Sequence, residues 1–555
     1  MPTGGENLVT YLAAEGVQHV FTVPGESFIA VLDAMHGDAR VRPITCRNES
    51  AAAMMAEATG KLTGRPGVAL VTRGPGAANA FAGVYVAHQD ATAMLLLVGL
   101  PPRDALHRKP FQGIDLASVF GSVTKWCAIV PDAAHLSDYL ARAFRTALHG
   151  RSGPVVLGLP EDVLTETAGA IAPRQSQVDR IAPSPEKLAH IRVALAHAER
   201  PLIIAGGSEW SQEAARDLEI FAERFDVPVA AAFRRQDHLD NRHRCYAGHA
   251  GLAVDAALAA GIRASDCIIA LGTRLGDVTT DRQTLIRTSG NGQRLIHIAP
   301  DAGSPDAAYP DALAIAASPI ATVAALARLD LPGKTPPWGI WRRDLHNAYQ
   351  ATLKPHPTPG HVRLEVVIAM LSATLPDDAI ICNGAGNYAA FLHRYFVYKG
   401  CGTQLAPVSG SMGYGLPAAI AAKLAAPDRT VIAFAGDGCF QMTGQELATA
   451  VQFNLPLVVI IANNSSLGTI RMHQEQRYPG RVVATSLINP DFVACAKSYG
   501  AFAVRVETTD AFAPALKAAL EANGPAVIEL ATDIEAVAPL ATISGLRLAA
   551  KKTAS

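Results

Sequence analysis

The sequence predicts an α/β protein built from three doubly wound parallel sheets, because short apolar runs alternate with helix-like stretches along nearly the whole chain. Each run has four to seven residues rich in Val, Ile, Leu or Ala, and most end at Gly, Pro or Asn. Continuous apolar runs of this length are typical of strands that helices cover on both faces. The predicted strands span residues 68–72, 93–99, 155–159, 202–205, 267–271, 295–298, 431–435 and 457–462.

Two proline-containing segments divide this alternation into three blocks. Residues 165–187 contain three prolines and many polar residues, and residues 331–361 include Pro336 and Pro337. Both segments are predicted as linkers. A chain of 555 residues is too long for one hydrophobic core, and typical domain sizes also suggest about three domains. The predicted domains are residues 1–165, 188–330 and 362–535.

Composition limits the classes of partner. The chain is 49% apolar and 17% charged, with a formal net charge of −1, and shows no basic stripe for nucleic acid or an anionic membrane. We therefore expect small molecules and other protein chains as partners. The N-terminus lacks the pattern of a secretory leader, and the apolar runs are too short to span a membrane, so a cytoplasmic location is expected. None of the eight cysteines forms a C-x-x-C pair, which favours reduced thiols over zinc or disulfides.

The strongest chemical signal is the turn Gly436-Asp437-Gly438, which is followed by Asn463-Asn464. Each motif ends a predicted strand, and open α/β sheets bind ligands at the carboxyl ends of their strands. The separation of 27 positions from Asp437 to Asn464 matches a strand end, a helix and the next strand end. The spacing predicts that both side chains reach the same edge of one sheet.

These residues offer the oxygen ligands that Mg²⁺ prefers. The Asp437 carboxylate, the Asn464 amide oxygen and the Ser466 carbonyl would supply three positions of an octahedral site, with diphosphate oxygens and water in the others. The alternative is a pair of ordinary polar turns without a ligand. The two motifs together, at this spacing, favour the metal site.

The segment from Gly436 to Asn464 resembles the G-D-G-x(24–27)-N-N signature of thiamine-diphosphate enzymes, in particular the acetolactate synthase and 2-oxoacid decarboxylase group. The resemblance extends over essentially the whole chain and implies a pyrimidine-binding, a middle and a diphosphate-binding domain, in that order. It implies thiamine diphosphate and Mg²⁺ as cofactors, with the metal on Asp437, Asn464 and Ser466. The cofactor contacts that it implies in this domain also include Asn387, Tyr388, Gly436, Gly438, Cys439, Leu467 and Gly468.

Glu49 is the predicted activating acid. Thiamine must lose a proton from its C2 carbon, and a carboxylate beside the pyrimidine ring favours the tautomer that accepts this proton. Glu49 opens a predicted helix of small and apolar residues, and residues 64–68 then match the family's G-x-P-G-V lead into a strand. The alternative is an ordinary acid at a helix start, favoured by the helix dipole.

The resemblance also assigns a support for the bent cofactor and two loops near C2. Residues 410–420 match the family segment in which Met412 would lie beneath the thiazolium ring and the Gly410 carbonyl would accept from the 4′-amino group. Core packing is the alternative for Met412. In the first domain, Glu26 would exchange protons near C2, with a surface acid as the alternative, and Phe111 and Gln112 would face the substrate.

Several positions depart from the family patterns. Gly113 replaces the acid of the synthases' Phe-Gln-Glu loop, and Arg73 begins the loop that resembles their Ser-Gly-Pro-Gly. His107 stands alone where pyruvate decarboxylases have two histidines, and Arg471 lies where they carry Glu, which disfavours simple decarboxylation. The acetolactate synthases bind FAD in the middle domain, but the acidic strand end is altered here before Asp301, so FAD is possible and not favoured.

The predicted function is therefore a carboligase that decarboxylates a 2-oxo acid and adds the resulting enamine to a second carbonyl compound. A 2-oxoacid decarboxylase, a 2-hydroxy ketone lyase similar to benzaldehyde lyase, and a non-catalytic cofactor-binding subunit are the alternatives. Glu49 and Asp437 fall in different domains, and in the resembling family these acids meet across a subunit interface. The resemblance thus implies a homodimer or homotetramer. The identity of the substrate stays open, because loops build the pocket walls.

Overall fold

The computed structural model describes residues 1–287, 292–301, 309–330 and 337–554. The chain divides into two compact units. Unit 1 contains residues 1–179, 407–427 and 443–455, and unit 2 contains residues 180–406, 428–442 and 456–555. No helix among the described residues combines the length and apolar character needed to cross a bilayer.

Strands and helices alternate as predicted, and all eight predicted strands are confirmed to within one residue at each end. The strands are β1 (His19–Thr22), β2 (Arg42–Thr45), β3 (Gly67–Val71), β4 (Met94–Leu100), β5 (Trp126–Ile129), β6 (Pro154–Pro160), β7 (Pro201–Ala205), β8 (Val229–Ala231), β9 (Tyr246–His249), β10 (Cys267–Leu271), β11 (Arg294–Ala299), β12 (Leu313–Ala316), β13 (Ile380–Asn383), β14 (Gln404–Leu405), β15 (Val431–Gly436), β16 (Val458–Asn463), β17 (Phe502–Val506) and β18 (Ala526–Ala531).

The α-helices are α1 (Gly4–Ala14), α2 (Ile29–His36), α3 (Glu49–Thr63), α4 (Gly74–Asp90), α5 (Leu116–Phe120), α6 (Leu136–Leu148), α7 (Glu161–Thr165), α8 (Pro185–Ala196), α9 (Gln212–Phe225), α10 (Ala256–Ala264), α11 (Pro319–Leu326), α12 (Gly339–Thr352), α13 (Leu364–Thr374), α14 (Asn387–Tyr395), α15 (Gly415–Ala425), α16 (Asp437–Gln441), α17 (Leu447–Gln452), α18 (Gly468–Arg477), α19 (Phe492–Ser498), α20 (Phe512–Leu520) and α21 (Ile543–Ala554).

Three six-stranded sheets confirm the predicted fold class. Their strand orders are β2-β1-β3-β4-β6-β5, β12-β11-β10-β7-β8-β9 and β14-β13-β15-β16-β18-β17, and the paired strands are parallel throughout. Each predicted domain contains one sheet, while the exact boundaries stay a prediction. Numbered within each sheet, the first and third orders are the same, 2-1-3-4-6-5. The middle order is that of dinucleotide-binding folds.

The centre of each sheet forms the core. All seven residues of β4 are buried, and so are all five of β7 and of β10. Helices cover these strands on both faces, which is why the sequence shows continuous rather than alternating apolar character. Unit 1 also includes α15 and α17, which follow the third domain's strands in the chain, and α15 packs against α3.

The prediction that residues 331–361 form a linker is wrong for much of its length, and residues 331–336 lie outside the described part. Helix α12 spans Gly339–Thr352 and packs against β9 and α10. Two indole N–H groups attach this segment to unit 2, from Trp338 to the Phe225 carbonyl at 3.0 Å and from Trp341 to the Pro201 carbonyl at 3.0 Å. The prolines flank the helix rather than interrupting it, so they mark its ends.

Candidate active site

The three predicted metal ligands converge in unit 2. The Ser466 backbone N–H donates to Asp437 Oδ2 at 3.2 Å and to Asn464 Oδ1 at 3.1 Å. Because one N–H contacts both side chains, the carboxylate and the amide oxygen lie side by side next to Ser466. This convergence is what the spacing of the two motifs predicts.

Neighbouring strands produce this geometry. Strands β15 and β16 pair in parallel, with Gly436 opposite Ala462, so Asp437 and Asn464 emerge at the same sheet edge. Asp437 is buried, and desolvation raises the pKa of its carboxyl despite N–H groups that bond to the charged form. A Cβ at Gly436 would lie 2.8 Å from Tyr388 Cδ1, which is why the strand ends in glycine.

The donor set fits a hard divalent cation. One carboxylate, one amide oxygen and a backbone carbonyl provide oxygen ligands, and Mg²⁺ commonly takes one or two carboxylates and completes its shell with water and phosphate. Within the described residues no group of three or more His, Cys, Asp or Glu side chains could hold a metal ion. The donor set therefore suits a metal site that is rich in oxygen ligands and has few carboxylates.

Asn489, which sequence reasoning missed, supports the predicted metal half-site, the name used below for Asp437, Asn464 and Ser466 together. Its Nδ2 donates to Asp437 Oδ2 at 2.8 Å and to Asn463 Oδ1 at 2.8 Å. Asn463 in turn donates to Glu529 Oε1 at 2.7 Å, and this glutamate is buried on β18. These hydrogen bonds connect Asn489 to Asp437 and, through Asn463, to Glu529. They orient the Asp437 carboxylate that a metal ion would require. The signal for Asn489 is weak, because Asn-Pro is a common turn pair.

The predicted diphosphate contacts gather at the start of α18. Asn387, the first residue of α14, accepts from Thr469 Oγ1 at 2.9 Å and donates to the Val537 carbonyl at 2.8 Å. Helix α18 begins at Gly468, directly after Leu467, so its first N–H groups lie beside Asn387 and follow the metal half-site. A helix start of this kind binds phosphate through backbone N–H groups and the helix dipole.

Tyr388 and Cys439 occupy the layer beneath this surface. Both side chains are buried, and the Tyr388 hydroxyl lies 3.1 Å from Cys439 Sγ. Burial raises the pKa of Tyr388 well above its ordinary value. Their side chains therefore support the turns that follow β13 and β15, and only the backbone at these positions is placed to meet a cofactor.

Unit 1 holds the second half of the predicted site. Glu49 is confirmed as the first residue of α3, and the Asn48 side chain caps this helix by accepting from the Ser50 N–H. Asn79 Nδ2 donates to Glu49 Oε2 at 3.0 Å. A Cβ at Gly76 would lie 3.3 Å from Glu49 Oε1, so glycine lets the start of α4 come close to the acid.

Three loops meet at the same edge of the first sheet, after β1, β3 and β4. The hydroxyls of Ser27 and Thr72 lie 3.0 Å apart, and the Gly74 N–H donates to the Gln112 carbonyl at 2.8 Å. Gln112 has a φ of 57°, a left-handed conformation that presents its carbonyl to Gly74. The structure thus brings the predicted substrate loops together.

The remaining predicted residues of these loops differ in exposure. Glu26 is exposed in a single 3₁₀ turn, and Phe111 is 78% exposed. Arg73 instead reaches across the sheet edge to Glu161 at the end of β6, with Nη2 and Oε2 2.6 Å apart. This ion pair accounts for an arginine where the synthases' loop begins with serine, because it connects the ends of β3 and β6, which are not neighbours in the sheet.

Buried polar contacts hold the turn that carries Gly410 and Met412. The Val408 N–H donates to Asp90 Oδ2 at 2.9 Å before the turn, and Thr443 Oγ1 donates to the Gly413 carbonyl at 2.6 Å after it. Gly410 is exposed with a φ of 71°, and Met412 is half-buried. The turn is therefore fixed at both ends, while its middle faces outward.

The strand order of the middle sheet reverses between β7 and β10, where a dinucleotide fold binds its ligand. Here protein groups occupy that position. Trp210 Nε1 donates to the Gly206 carbonyl at 2.7 Å, and its ring stacks on His238 at 4.4 Å. Arg235 Nε donates to the Gly207 carbonyl at 2.7 Å.

Comparison with known proteins defines the class. Three family models match the chain, each for one part of a thiamine pyrophosphate enzyme: the N-terminal TPP binding domain over residues 2–119, the central domain over 188–326 and the C-terminal TPP binding domain over 384–530. They follow one another in the order of the three sheets and together cover well over half of the chain. The chain belongs to the thiamine pyrophosphate enzymes.

Within this class the chain is acetolactate synthase-like. The acetolactate synthase large subunit of Parasynechococcus marenigrum (strain WH8102) is 29% identical, and the match covers 95% of this chain and 87% of the relative. The corresponding subunit of Lactococcus lactis subsp. lactis (strain IL1403) is also 29% identical, over 95% of this chain and 92% of the relative. The acetolactate synthase large subunit of Haemophilus influenzae is 29% identical, and the match covers 92% of this chain and 90% of the relative.

Proposed function

We propose that the protein is a thiamine-diphosphate- and magnesium-dependent carboligase. It decarboxylates a 2-oxo acid and joins the remaining acyl unit to a second carbonyl compound, and its relatives are named acetolactate synthase large subunits. The observation that carries the proposal is the convergence of Asp437 and Asn464 on the Ser466 N–H. That arrangement places hard oxygen ligands beside the helix start that suits a diphosphate.

The cofactor, when bound, supplies a carbon nucleophile that also accepts the electron pair left by departing CO₂. Asp437, Asn464 and the Ser466 carbonyl would hold Mg²⁺, and the start of α18 would bind the diphosphate. Asn489 keeps the Asp437 carboxylate oriented through its hydrogen bond to Oδ2. These groups position the cofactor and neutralise its charge.

Glu49 would hold a proton beside the cofactor's pyrimidine ring and would thereby promote activation of the cofactor. Asn79 fixes Oε2 of this carboxylate, which orients Oε1 for the proton. Glu26 exchanges protons with the substrate, and Gln112 with Phe111 orients it at the loop edge. The Gly410 carbonyl would offer a hydrogen-bond acceptor to the cofactor's amino group, and Met412 would support the cofactor by packing.

The active unit is at least a homodimer in this proposal. Unit 2 carries exposed apolar side chains near the metal half-site: Met442 is 56% exposed, Val483 69% and Ile488 fully exposed. Exposed apolar groups around a half-site favour coverage by a second copy. Glu49 of one copy then serves the cofactor held by Asp437 of the other. A protein that is monomeric in analytical ultracentrifugation and fully active under the same conditions would contradict this arrangement.

FAD is not part of the proposed enzyme, because the acidic strand end of the flavin-binding synthases is altered here before Asp301. The proposed location is the cytoplasm, where thiols stay reduced. The physiological substrate and acceptor follow from the loops and need a direct screen.

The first experiment is titration of the apoprotein with thiamine diphosphate at fixed Mg²⁺, with and without a chelator. CO₂ release is then measured for a panel of 2-oxo acids, and products are identified with and without an acceptor aldehyde. We expect metal-dependent binding, CO₂ release and a 2-hydroxy ketone or acetohydroxy acid. Formation of the free aldehyde alone would instead identify a decarboxylase, and the absence of cofactor binding would refute the proposal.

A further inference from the structure

Glu446 lies in the 3₁₀ turn that precedes α17, within unit 1, and its side chain is completely buried. The residue belongs to neither the metal half-site nor the substrate loops. A buried carboxylate is costly unless hydrogen bonds satisfy it. Its partners therefore indicate what the charge is for.

Those partners are the backbone of the two residues that precede Glu49. Glu446 Oε1 accepts from the Arg47 N–H at 2.9 Å and from the Asn48 N–H at 3.0 Å. Its other oxygen accepts from Thr449 Oγ1 at 2.7 Å. One carboxylate thus holds two consecutive N–H groups at the start of α3.

This contact fixes the point from which Glu49 projects. Asn48 is the cap of α3, so its backbone sets where the helix begins, and Glu49 is the first helical residue. A hydrogen bond to a charged acceptor is worth about twice a neutral one, and two on one oxygen restrict both shift and rotation of the turn. Asn79 orients the carboxylate end of Glu49, whereas Glu446 holds its backbone end.

We infer that Glu446 is a positioning residue for Glu49, acting through the Arg47–Asn48 backbone without touching cofactor or substrate. The inference rests on the proposed role of Glu49. A displacement of a catalytic group by about 1 Å costs on the order of 100-fold in rate. Loss of the Glu446 carboxylate should therefore lower kcat by about 10- to 100-fold and change KM for the 2-oxo acid little.

Three substitutions at Glu446 separate the effect of side-chain length from the effect of charge. Glu446→Gln keeps an oxygen at the same distance and should retain most of the activity. Glu446→Asp keeps the charge but withdraws it by one methylene, so it should lose activity while preserving a buried carboxylate. Glu446→Ala removes both and should be lowest. If Glu446→Ala does not fold, the contrast between the Asp and Gln variants still decides the question.

A second readout does not depend on activity. Hydrogen–deuterium exchange of the apoprotein should show faster exchange of the Arg47 and Asn48 amides in Glu446→Asp than in wild type, and near wild-type exchange in Glu446→Gln. Glu15→Ala is the matched control, because Glu15 is also buried in unit 1 and accepts a backbone N–H, that of Ser176 at 3.0 Å. The control should lose stability without changing exchange at residues 47–48.

A double-mutant cycle with Glu49→Gln completes the test. If Glu446 acts through Glu49, Glu446→Asp adds no further loss of kcat in the Glu49→Gln background. Multiplicative losses, or unchanged kcat in Glu446→Asp alone, would overturn the inference. A fully active Glu49→Gln variant would instead refute the proposed function, so the two failures are distinguishable.

Discussion

The Tyr414 hydroxyl donates to Glu57 Oε2 at 2.5 Å, and both side chains are completely buried in unit 1. Glu57 lies two turns along the helix that Glu49 opens, and Tyr414 lies two residues after Met412. Lys61 extends the contact, with Nζ 3.0 Å from Glu57 Oε1 and 2.9 Å from Asp90 Oδ1. The helix that Glu49 opens and the turn that carries Met412 are therefore joined by a buried charged cluster.

Tyr414→Phe should lower the free energy of unfolding by about 1–3 kcal/mol, because it leaves a buried carboxylate oxygen without this donor. Chemical denaturation monitored by circular dichroism measures the change. Tyr349→Phe is the matched control, since the Tyr349 hydroxyl is buried and has no hydrogen-bond partner among the described residues. Equal losses in the two variants would show that the Glu57 contact contributes nothing.

Asp437→Asn should abolish Mg²⁺-dependent binding of thiamine diphosphate, because it removes the one carboxylate of the proposed metal site. Isothermal titration with and without a chelator measures the effect. Asp491→Asn, an exposed helix cap in the same unit, should leave the affinity unchanged. Wild-type affinity in Asp437→Asn would place the metal elsewhere.

Asn489→Ala should weaken Mg²⁺ affinity by about 10- to 100-fold, as expected for a residue that orients a metal ligand. The loss frees Asp437 Oδ2 from a 2.8 Å hydrogen bond without removing any ligand. Gln441→Ala provides the comparison, because Gln441 bonds the opposite side of the Asn489 amide and should have a smaller effect. An Asn489→Ala protein with unchanged affinity would make this contact incidental to metal binding.

The stability of unit 2 should depend on pH through Glu475. Hydrogen bonds from Arg547, together with the Gly480 N–H and Arg471, lower the pKa of Glu475 from 4.5 to about 2. A lowered folded-state pKa contributes stability above the unfolded value, and this contribution disappears as pH falls from about 4.5 towards 2.

Glu475→Gln should therefore be less stable than wild type at pH 6, and the difference should narrow as the pH falls below about 4. Urea titrations across this range measure it. Glu521→Gln, which loses only an exposed pair with Lys517, should show no such convergence. A constant difference at all pH values would mean that Glu475 contributes by packing rather than by charge.

The protein purified from riboflavin-supplemented cells should carry no flavin and should be fully active without added FAD. Trp210 and Arg235 bond the Gly206 and Gly207 carbonyls where a pyrophosphate would approach. Absorbance and fluorescence of the supernatant after denaturation measure bound flavin. Stoichiometric FAD would show that Trp210 leaves this position when the ligand binds.

The sequence predicted eight of the interior strands and the convergence of Asp437 and Asn464, because both depend on local patterns. Strands such as β4 and β10 are continuously apolar, and Asp437 and Asn464 follow adjacent strands at a characteristic spacing. Edge strands were harder to predict. Strand β14 has only two residues, and β12 alternates in exposure, so neither has a strong apolar signature.

The missed residues act through long-range contacts. Glu446 and Arg47 are 399 residues apart, and Asn489 and Asp437 are 52 apart, so no local pattern joins either pair. Helix α12 was missed because flanking prolines indicate a linker, whereas Trp338 and Trp341 attach the segment to the middle sheet. Burial of these partners depends on tertiary packing.

The first and third sheets have the same strand order, so the loops that follow their strands occupy equivalent positions in the two sheets. In one sheet the loops carry the predicted catalytic acids and substrate-facing side chains, and in the other they carry the predicted cation site. The predicted catalytic groups and the predicted cofactor-anchoring groups therefore lie on two different sheets of the same strand order. Loops after β1, β3 and β4 are free to diversify substrate choice, in evolution or by engineering, while the cofactor-anchoring groups stay unchanged.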